Sequence, residues 1–341
     1  MAVACELGGE GLLQGRLTMR AVAIQRYGGP EVVQVVEVPR PKPGPGEVLI
    51  RVRATSINQL DWRLRRGEVR FILPLRPPRV LGFDVAGQVE ELGDGAAGFP
   101  IGTAVMAMLD AHRPGACADY LVMSPGHLVV KPPEMSFHEA AALPRAGITA
   151  LQALRWAGPL SAGDRALVVG ASGGIGTLVV QLAVMAGVRV TALCSSRNEE
   201  LVRALGAERV VAYDREALAT GDRFEAIVDV VDATSFAAME RHLVSGGRFV
   251  AVYPTVAGVA EMLRTRMARP FGGTKRAFTY LTEANAEDLA HLVELWRAGK
   301  LRPVIHRVFE LEESGEAHRL SESRRARGKL VIDVCRGAEA R

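Results

Sequence analysis

The segment Ala166–Arg197, ALVVGASGGIGTLVVQLAVMAGVRVTALCSSR, constrains the fold more than any other. An apolar run enters a turn holding Gly170, Gly173, Gly174 and Gly176. Then Ile175, Leu178, Val179 and Leu182 fall on one helical face, and a second apolar run follows. Strand, glycine turn, helix and strand in this order form the βαβ unit that holds a dinucleotide. Glycines admit positive φ and let a pyrophosphate reach backbone N–H groups at a helix N-terminus. The reading assigns Gly170, Ser172, Gly173, Gly174, Ile175 and Gly176 to cofactor binding. A tight strand–helix turn without ligand is the plain alternative. The unit lies mid-chain, so a large segment precedes it.

That segment reads as β. MRAVAIQ, VVQVVEV, VLIRVRATSIN and LGFDVAGQVEELG are strand-like, and PRPKPGPGE breaks both helix and sheet. After Ala146 the grammar changes. A helix over GITALQALRWAG ends at Gly158. Strands are predicted near 166–170, 188–193, 209–212, 226–231 and 248–253, with helices at 175–186, 198–205 and 234–244. Alternation of this kind implies a doubly wound parallel sheet. From 286, Leu289, Leu292, Val293 and Trp296 mark an amphipathic helix, followed by RPVIHRVFEL, a short helix and the strand KLVIDV. The stretch 254–285 is the least patterned and is expected to wall the substrate site.

A chain of 341 residues has room for two cores. Its formal net charge is +4, but the arginines are dispersed and lack interleaved aromatics, which argues against nucleic acid. Cys5, Cys117, Cys194 and Cys335 are far apart, as in a reduced cytoplasmic protein. Ile175–Cys194 is apolar enough to mimic a membrane span, but Gln181, Gly187 and Arg189 interrupt it. Residues 1–18 match neither transit nor signal peptides and read as a disordered extension or an upstream start.

Enzymes that use NAD usually place an acid at the end of the second strand, on the ribose hydroxyls. Here Ser195, Ser196 and Arg197 stand there. Two hydroxyls and a guanidinium suit a 2′-phosphate, so the cofactor is read as NADPH. Ser196 also suits a helix N-cap. GASGGIG is the turn of short-chain dehydrogenases as well, but none of Tyr27, Tyr120, Tyr213, Tyr253 and Tyr280 has Lys four residues on.

With PGPGEVLIRV, SINQLDWRLRRG, LGFDVAGQVEELG, GACADYLV, GITA, GASGGIG, LGAERVVAYD and RGKLVIDV, the chain resembles the medium-chain dehydrogenase/reductase superfamily in its zinc-free quinone-oxidoreductase-like branch. The resemblance spans Met19 to Val334. It implies an α/β protein with a GroES-like β-barrel-type domain (19–146), a Rossmann NADPH-binding domain (147–285) and a C-terminal segment (286–341) returning to the first domain. It implies a site in the interdomain cleft and a homodimer joined at the Rossmann sheet edge. Asn58 matches the Asn of an Asn-x-x-Asp motif near the nicotinamide, and Asp61 reads as structural. Thr149 matches a Gly-x-Thr-Ala threonine also near the nicotinamide. Tyr213 matches a tyrosine beside the 2′-phosphate, and Arg324 a cation from the closing segment. Their alternatives are a turn residue, a first-turn helix residue, a strand end and a solvated cation.

Zinc-dependent members need a Cys after the strand at 49–57, a His-Glu pair in the next strand and a four-Cys lobe. This chain has Asn-Gln-Leu-Asp and Phe83-Asp84 in the first two places and lacks the lobe, so no metal is expected. Where some relatives carry tyrosines, it has Trp62, Arg63 and Val69; Arg63 reads as a surface cation in a basic loop, with an anionic or carbonyl group as its alternative partner. The substrate is then expected to be a quinone or an α,β-unsaturated carbonyl, which carries its own electron sink. Two alternatives stand beside this reading. One is an enoyl-thioester reductase using Arg264, Arg266, Arg269 and Lys275; the other is a non-catalytic NADPH-binding interaction protein.

Overall fold

The computed structural model describes residues 17–71, 73–74 and 76–335. The predicted extension 1–18 lies outside these residues apart from Leu17 and Thr18, and Thr18 already pairs with Pro39. The N-terminal half runs β1 (Thr18–Ile24), β2 (Val33–Pro39), β3 (Val48–Ile57), α1 (Gln59–Arg65), β4 (Arg79–Val80), β5 (Asp84–Leu92), β6 (Ala104–Met108), β7 (Tyr120–Met123) and β8 (Val129–Val130). The strands β2, β1 and β4 form one small antiparallel sheet. The larger sheet places β3 beside β5, β5 beside β6 and β6 beside β8, with β7 also on β3. Alternate residues of β3 and β5 close over one core with Val22, Ile24, Leu81 and Phe83.

Two helices lead into the second half. α2 (Phe137–Ala142) starts from Ser136, whose hydroxyl accepts the Glu139 N–H while Glu139 accepts the Ser136 N–H. α3 (Pro144–Ala157) opens on proline and stops at Gly158, which takes φ 91°. The chain continues through β9 (Arg165–Val169), α4 (Gly176–Met185), β10 (Arg189–Cys194), α5 (Glu199–Ala204), β11 (Arg209–Ala212), β12 (Phe224–Asp229), α6 (Phe236–Met239), β13 (Leu243–Ala251), α7 (Val256–Met267) and β14 (Arg276–Thr279). These strands form a six-stranded parallel sheet in the order β11-β10-β9-β12-β13-β14. The order reverses between β9 and β12, and such a switch point opens a crevice at the strand C-termini. The glycine turn after β9 lies at that point.

The last unit is α8 (Ala286–Arg297), β15 (Ile305–Glu310), α9 (Ser314–Glu322) and β16 (Lys329–Asp333). Leu289, Leu292, Val293 and Trp296 of α8 are buried, as their spacing predicts. α8 packs closely on α3, where a Cβ on Gly147 would meet Leu292 Cδ1 at 2.8 Å. β16 then pairs antiparallel with β3, matching Leu330 to Ile57, and β15 pairs with β16. The chain end thus completes the first-half sheet.

Two local expectations are corrected. The helix predicted over 234–244 is shorter at both ends: α6 is continued by a 3-10 turn, Glu240–His242, and a strand begins at Leu243. Leu243 is drawn into the core with Phe236 and Phe249, and Gly246 at φ 80° absorbs the register shift between the Phe224–Leu243 and Ala226–Arg248 pairs. The stretch 254–285 carries α7 and the sixth strand, β14, which its sequence pattern does not announce.

Candidate active site

The glycine turn is shaped by contacts a side chain would break. Gly170 has φ 80°, and a Cβ there would meet Val231 Cγ1 at 2.5 Å. A Cβ on Gly176 would lie 2.2 Å from Gly170 O, and one on Gly174 would lie 2.7 Å from Lys329 Cδ. Gly173 differs: its nearest such contact, Gly170 O, is at 3.4 Å. Three glycines are thus required by packing, and the fourth leaves room above the backbone. The Thr177, Leu178 and Val179 N–H groups of α4 donate to the Gly173 and Ile175 carbonyls, and the helix dipole favours an anion at this end. Ser172 is buried and accepts from Asn198 Nδ2 at 2.8 Å, and its carbonyl accepts the Gly328 N–H at 2.9 Å. The turn is therefore held from below by α5 and from the side by the C-terminal segment. A pyrophosphate fits this cradle.

A cleft runs between the turn and the first half. Its walls include Gly173, Gly174 and Ile175 on one side and Asn58, Trp62 and Lys329 on the other. Val230, Val231, Tyr253 and Arg324 also line it. Arg324 follows α9 in the left-handed region at φ 58°, a backbone state few arginines adopt.

Asn58 precedes α1, and its N–H donates to Asp61 Oδ2 at 2.8 Å, so α1 starts with its own carboxylate cap. Asp61 also accepts the Gly82 N–H at 3.1 Å. Burial pushes its carboxyl up to about 6, against these N–H bonds. The Asn58 amide is fully committed. Nδ2 donates to Asp84 Oδ2 at 2.8 Å, and Oδ1 accepts from Lys329 Nζ at 2.6 Å. Lys329 also donates to Ile57 O at 3.2 Å and lies 3.6 Å from Asp84 Oδ2. Asp84 takes further bonds from Ser56 Oγ at 2.5 Å and Arg145 N at 2.7 Å. Burial holds Lys329 and Arg145 below their ordinary values, with Asp84 and Asp61 opposing. Two buried acids facing two buried bases balance in charge.

Sequence reasoning missed Lys329, Asp84 as a partner of Asn58, Tyr253 and Asp214. Lys329 lies 271 residues from Asn58, with no local signal to join them. Burial pushes the Tyr253 phenol up to about 12, against the Arg63 guanidinium, so it stays protonated at neutral pH. Arg63 is not the surface cation expected. It pairs with Asp232 Oδ2 at 3.0 Å and lies 4.8 Å over the Tyr253 ring, joining the two halves. Thr149 is buried in the body of α3, its Oγ1 3.0 Å from Thr282 Oγ1 and its carbonyl bonded by Tyr280 OH at 2.7 Å. It is not among the residues lining the cleft. Burial lifts the Cys117 thiol to about 12 and Cys194 to about 11, which keeps both neutral.

At the other end of the turn, Ser195, Ser196 and Arg197 follow β10, and Tyr213 is exposed after β11. The two serines are not free. Asp214 accepts from Ser196 N and Ser196 Oγ, both at 2.8 Å, and from Ser195 Oγ at 3.4 Å. The acid absent from the end of β10 is brought in from the end of β11. Arg197 Nη2 reaches Arg325 O at 3.1 Å.

Among the described residues, no group of three or more His, Cys, Asp and Glu is arranged to hold a metal. Among the described residues, no helix is long and apolar enough to cross a membrane.

The comparisons with known proteins agree with this fold. Residues 44–145 match the alcohol dehydrogenase GroES-like domain family, and residues 205–332 match the family described as zinc-binding dehydrogenase. A chloroplastic quinone-oxidoreductase of Triphysaria versicolor is 38% identical over 335 residues, covering 94% of this chain and all of that one. The mitochondrial NAD(P)H oxidoreductase RTN4IP1 of Mus musculus is 34% identical, covering 85% of this chain and 82% of its own length. The solved quinone oxidoreductase of Coxiella burnetii superposes with a TM-score of 0.85 at 35% identity, over 93% of this chain and 99% of that one. With its GroES-like half, its Rossmann half and these relatives, the chain belongs to the medium-chain dehydrogenase/reductase superfamily, as an NAD(P)H-dependent oxidoreductase of the quinone-oxidoreductase-like branch.

Proposed function

We propose that this chain is a zinc-independent reductase that uses NADPH to reduce a quinone or an activated, α,β-unsaturated carbonyl alkene. The observation that carries this reading is the cleft that sets the glycine turn against Asn58, Trp62, Tyr253 and Lys329. Bound there, NADPH supplies a hydride from its nicotinamide to the substrate. The chain's residues do the rest. Gly170, Ser172, Gly173, Gly174, Ile175 and Gly176 seat the pyrophosphate at the start of α4. Ser195, Ser196, Arg197, Tyr213 and Arg324 take the adenosine end and its 2′-phosphate. Asn58, held by Lys329 and Asp84, gives the nicotinamide side of the cleft a fixed polar wall. Thr149 is assigned to the nicotinamide end by its resemblance to the Gly-x-Thr-Ala threonine, and its hydroxyl is held by Thr282 at 3.0 Å. Trp62, Val230 and Val231 exclude water. The protonated Tyr253 phenol donates to the substrate oxygen as negative charge gathers there.

A substrate that spreads this charge as a hydroquinone anion or an enolate needs no Lewis acid. Asp84, at the place of the His-Glu pair of zinc-dependent relatives, is already saturated by Ser56, Asn58 and Arg145. This supports zinc independence. The quinone-oxidoreductase relatives support the substrate class. A carrier-bound thioester is less well served, because Arg264 pairs with Glu240 and lies over the Phe236 ring.

The outer edge of β14 ends the six-stranded sheet, and Val256, Met267 and Phe271 nearby are strongly exposed. An open edge beside apolar residues supports a homodimer joined there. Cys117, Cys194 and Cys335 are free thiols, consistent with a reducing compartment, which we take to be the cytoplasm. The decisive experiment is steady-state assay of the purified chain, treated with chelator, against quinones and enones with NADPH and with NADH. Turnover with NADPH is expected. Tight NADPH binding without turnover of any acceptor would reject the reading. Light scattering should give the mass of two chains.

A further inference from the structure

We propose that Asp214 sets how strongly this protein selects a 2′-phosphorylated cofactor. The inference rests on the reading that the adenosine end lies at the Ser195–Arg197 turn. The Asp214 carboxylate accepts from three donors: the Ser196 N–H and O–H, each at 2.8 Å, and the Ser195 O–H at 3.4 Å. A phosphate monoester at the same turn would use the same donors. Two anions cannot share them, so a 2′-phosphate must displace Asp214 or sit against its charge. An unphosphorylated ribose differs, because its 2′-hydroxyl donates to a carboxylate, as in NAD sites that carry an acid.

The surroundings pull the other way. Arg197 bonds the backbone of Arg325 at 3.1 Å. The Arg327 N–H donates to His306 Nδ1 at 3.1 Å, and burial, then the Arg327 and Arg197 charges, hold His306 below its ordinary value, while Arg307 is taken up by Glu313 and Glu316. Glu199 is taken up by Arg203 and Arg215, each at 3.6 Å. Asp214 therefore opposes a basic surface at the point where a phosphate would dock. The wild-type chain should accept both cofactors, with a preference for NADPH that Asp214 restrains.

The test is calorimetric binding of 2′,5′-ADP and of 5′-AMP to the full chain and to the D214N, D214A and R197A variants. These probes differ only in the 2′-phosphate, and no turnover is needed. D214N and D214A should tighten 2′,5′-ADP by about tenfold, the scale of relieving one like-charge contact near a surface, and leave 5′-AMP unchanged or weaker. Equal changes for the two probes, or no change for either, would overturn the role of Asp214. R197A should weaken 2′,5′-ADP and spare 5′-AMP. If R197A and D214A both leave 2′,5′-ADP binding as tight as 5′-AMP binding, the assignment of the phosphate subsite itself is wrong. Melting curves of the variants, expected within a few degrees of wild type for a residue exposed on a turn, exclude unfolding as the cause.

Discussion

Lys329 Nζ donates to Asn58 Oδ1 at 2.6 Å, joining the first residue of β16 to the residue that opens α1. The bond fixes the Asn58 amide, because its oxygen faces an ammonium and its nitrogen faces Asp84. It also gives buried Asp84 a cation 3.6 Å away. Replacing Lys329 by Met should leave an uncompensated buried acid and cost about 3 kcal/mol. Asn58→Ala should cost less, about 1–2 kcal/mol. Because the two share one network, the double variant should be less destabilised than the sum of the singles. Urea denaturation of all three measures this, and strict additivity would rule the coupling out.

The glycines of the turn should separate by role. Gly176→Ala forces a Cβ to within 2.2 Å of Gly170 O, so about 3 kcal/mol of stability should be lost. Gly173→Ala has its nearest such neighbour at 3.4 Å and should melt within a few degrees of wild type. Its methyl would occupy the space proposed for the pyrophosphate, and NADPH should bind about tenfold more weakly or worse. Calorimetry and fluorescence titration read the two effects. A Gly173→Ala variant that binds NADPH normally would contradict the proposed seat.

Tyr253→Phe keeps the ring against Arg63 and removes only the phenol. Loss of one donor to a developing oxyanion should lower kcat about 10- to 100-fold, with little change in the KM for NADPH. Unchanged kcat across quinone and enone acceptors, with chemistry rate-limiting, would show that the proton and the hydrogen bond come from elsewhere.

His318 is buried in α9 with both ring nitrogens unpartnered among the described residues. Burial pushes it down to about 3 from 6.5, helped by the Arg65 charge. The sign follows from linkage. Below pH 6.5 the unfolded chain binds a proton that the folded chain refuses, so stability falls as pH falls towards 3. The slope from this one group is about 1.4 kcal/mol per pH unit. His318→Leu should remove this slope while costing little at pH 8. Denaturation at pH 8, 6 and 5 compares the two, and parallel losses in wild type and variant would show that His318 accepts the proton in the fold.

The parts of the site legible in the sequence are local. The glycine turn lies between a strand and a helix whose periodicities are visible within about thirty residues, and short-range sterics decide both. Asn58 and Asp61 are three residues apart, and the capping bond between them needs nothing beyond the start of α1. The helix predicted over 234–244 stops short at His242 for the opposite reason. Its apolar residues suit a helix, but Leu243 is claimed by the core beside Phe249. The bonds that Ser195 and Ser196 make to Asp214 were not legible, because Asp214 arrives from beyond the adjacent strand, 18 residues after Ser196.

What the sequence determined by itself is the glycine turn, the β-rich segment before it and the parallel sheet around it. Each rests on period, glycine placement and sterics within one chain segment. The tertiary structure decided the chemistry of the cleft. Only the pairing of β16 with β3 carries Lys329 to Asn58. Only the contact between halves turns Arg63 from a solvated cation into the partner of Asp232 and Tyr253. Only the neighbouring ends of β10 and β11 set Asp214 on the two serines. Such charges and hydrogen bonds act over a few ångströms of space, and sequence separation carries no record of which distant groups folding will bring that close.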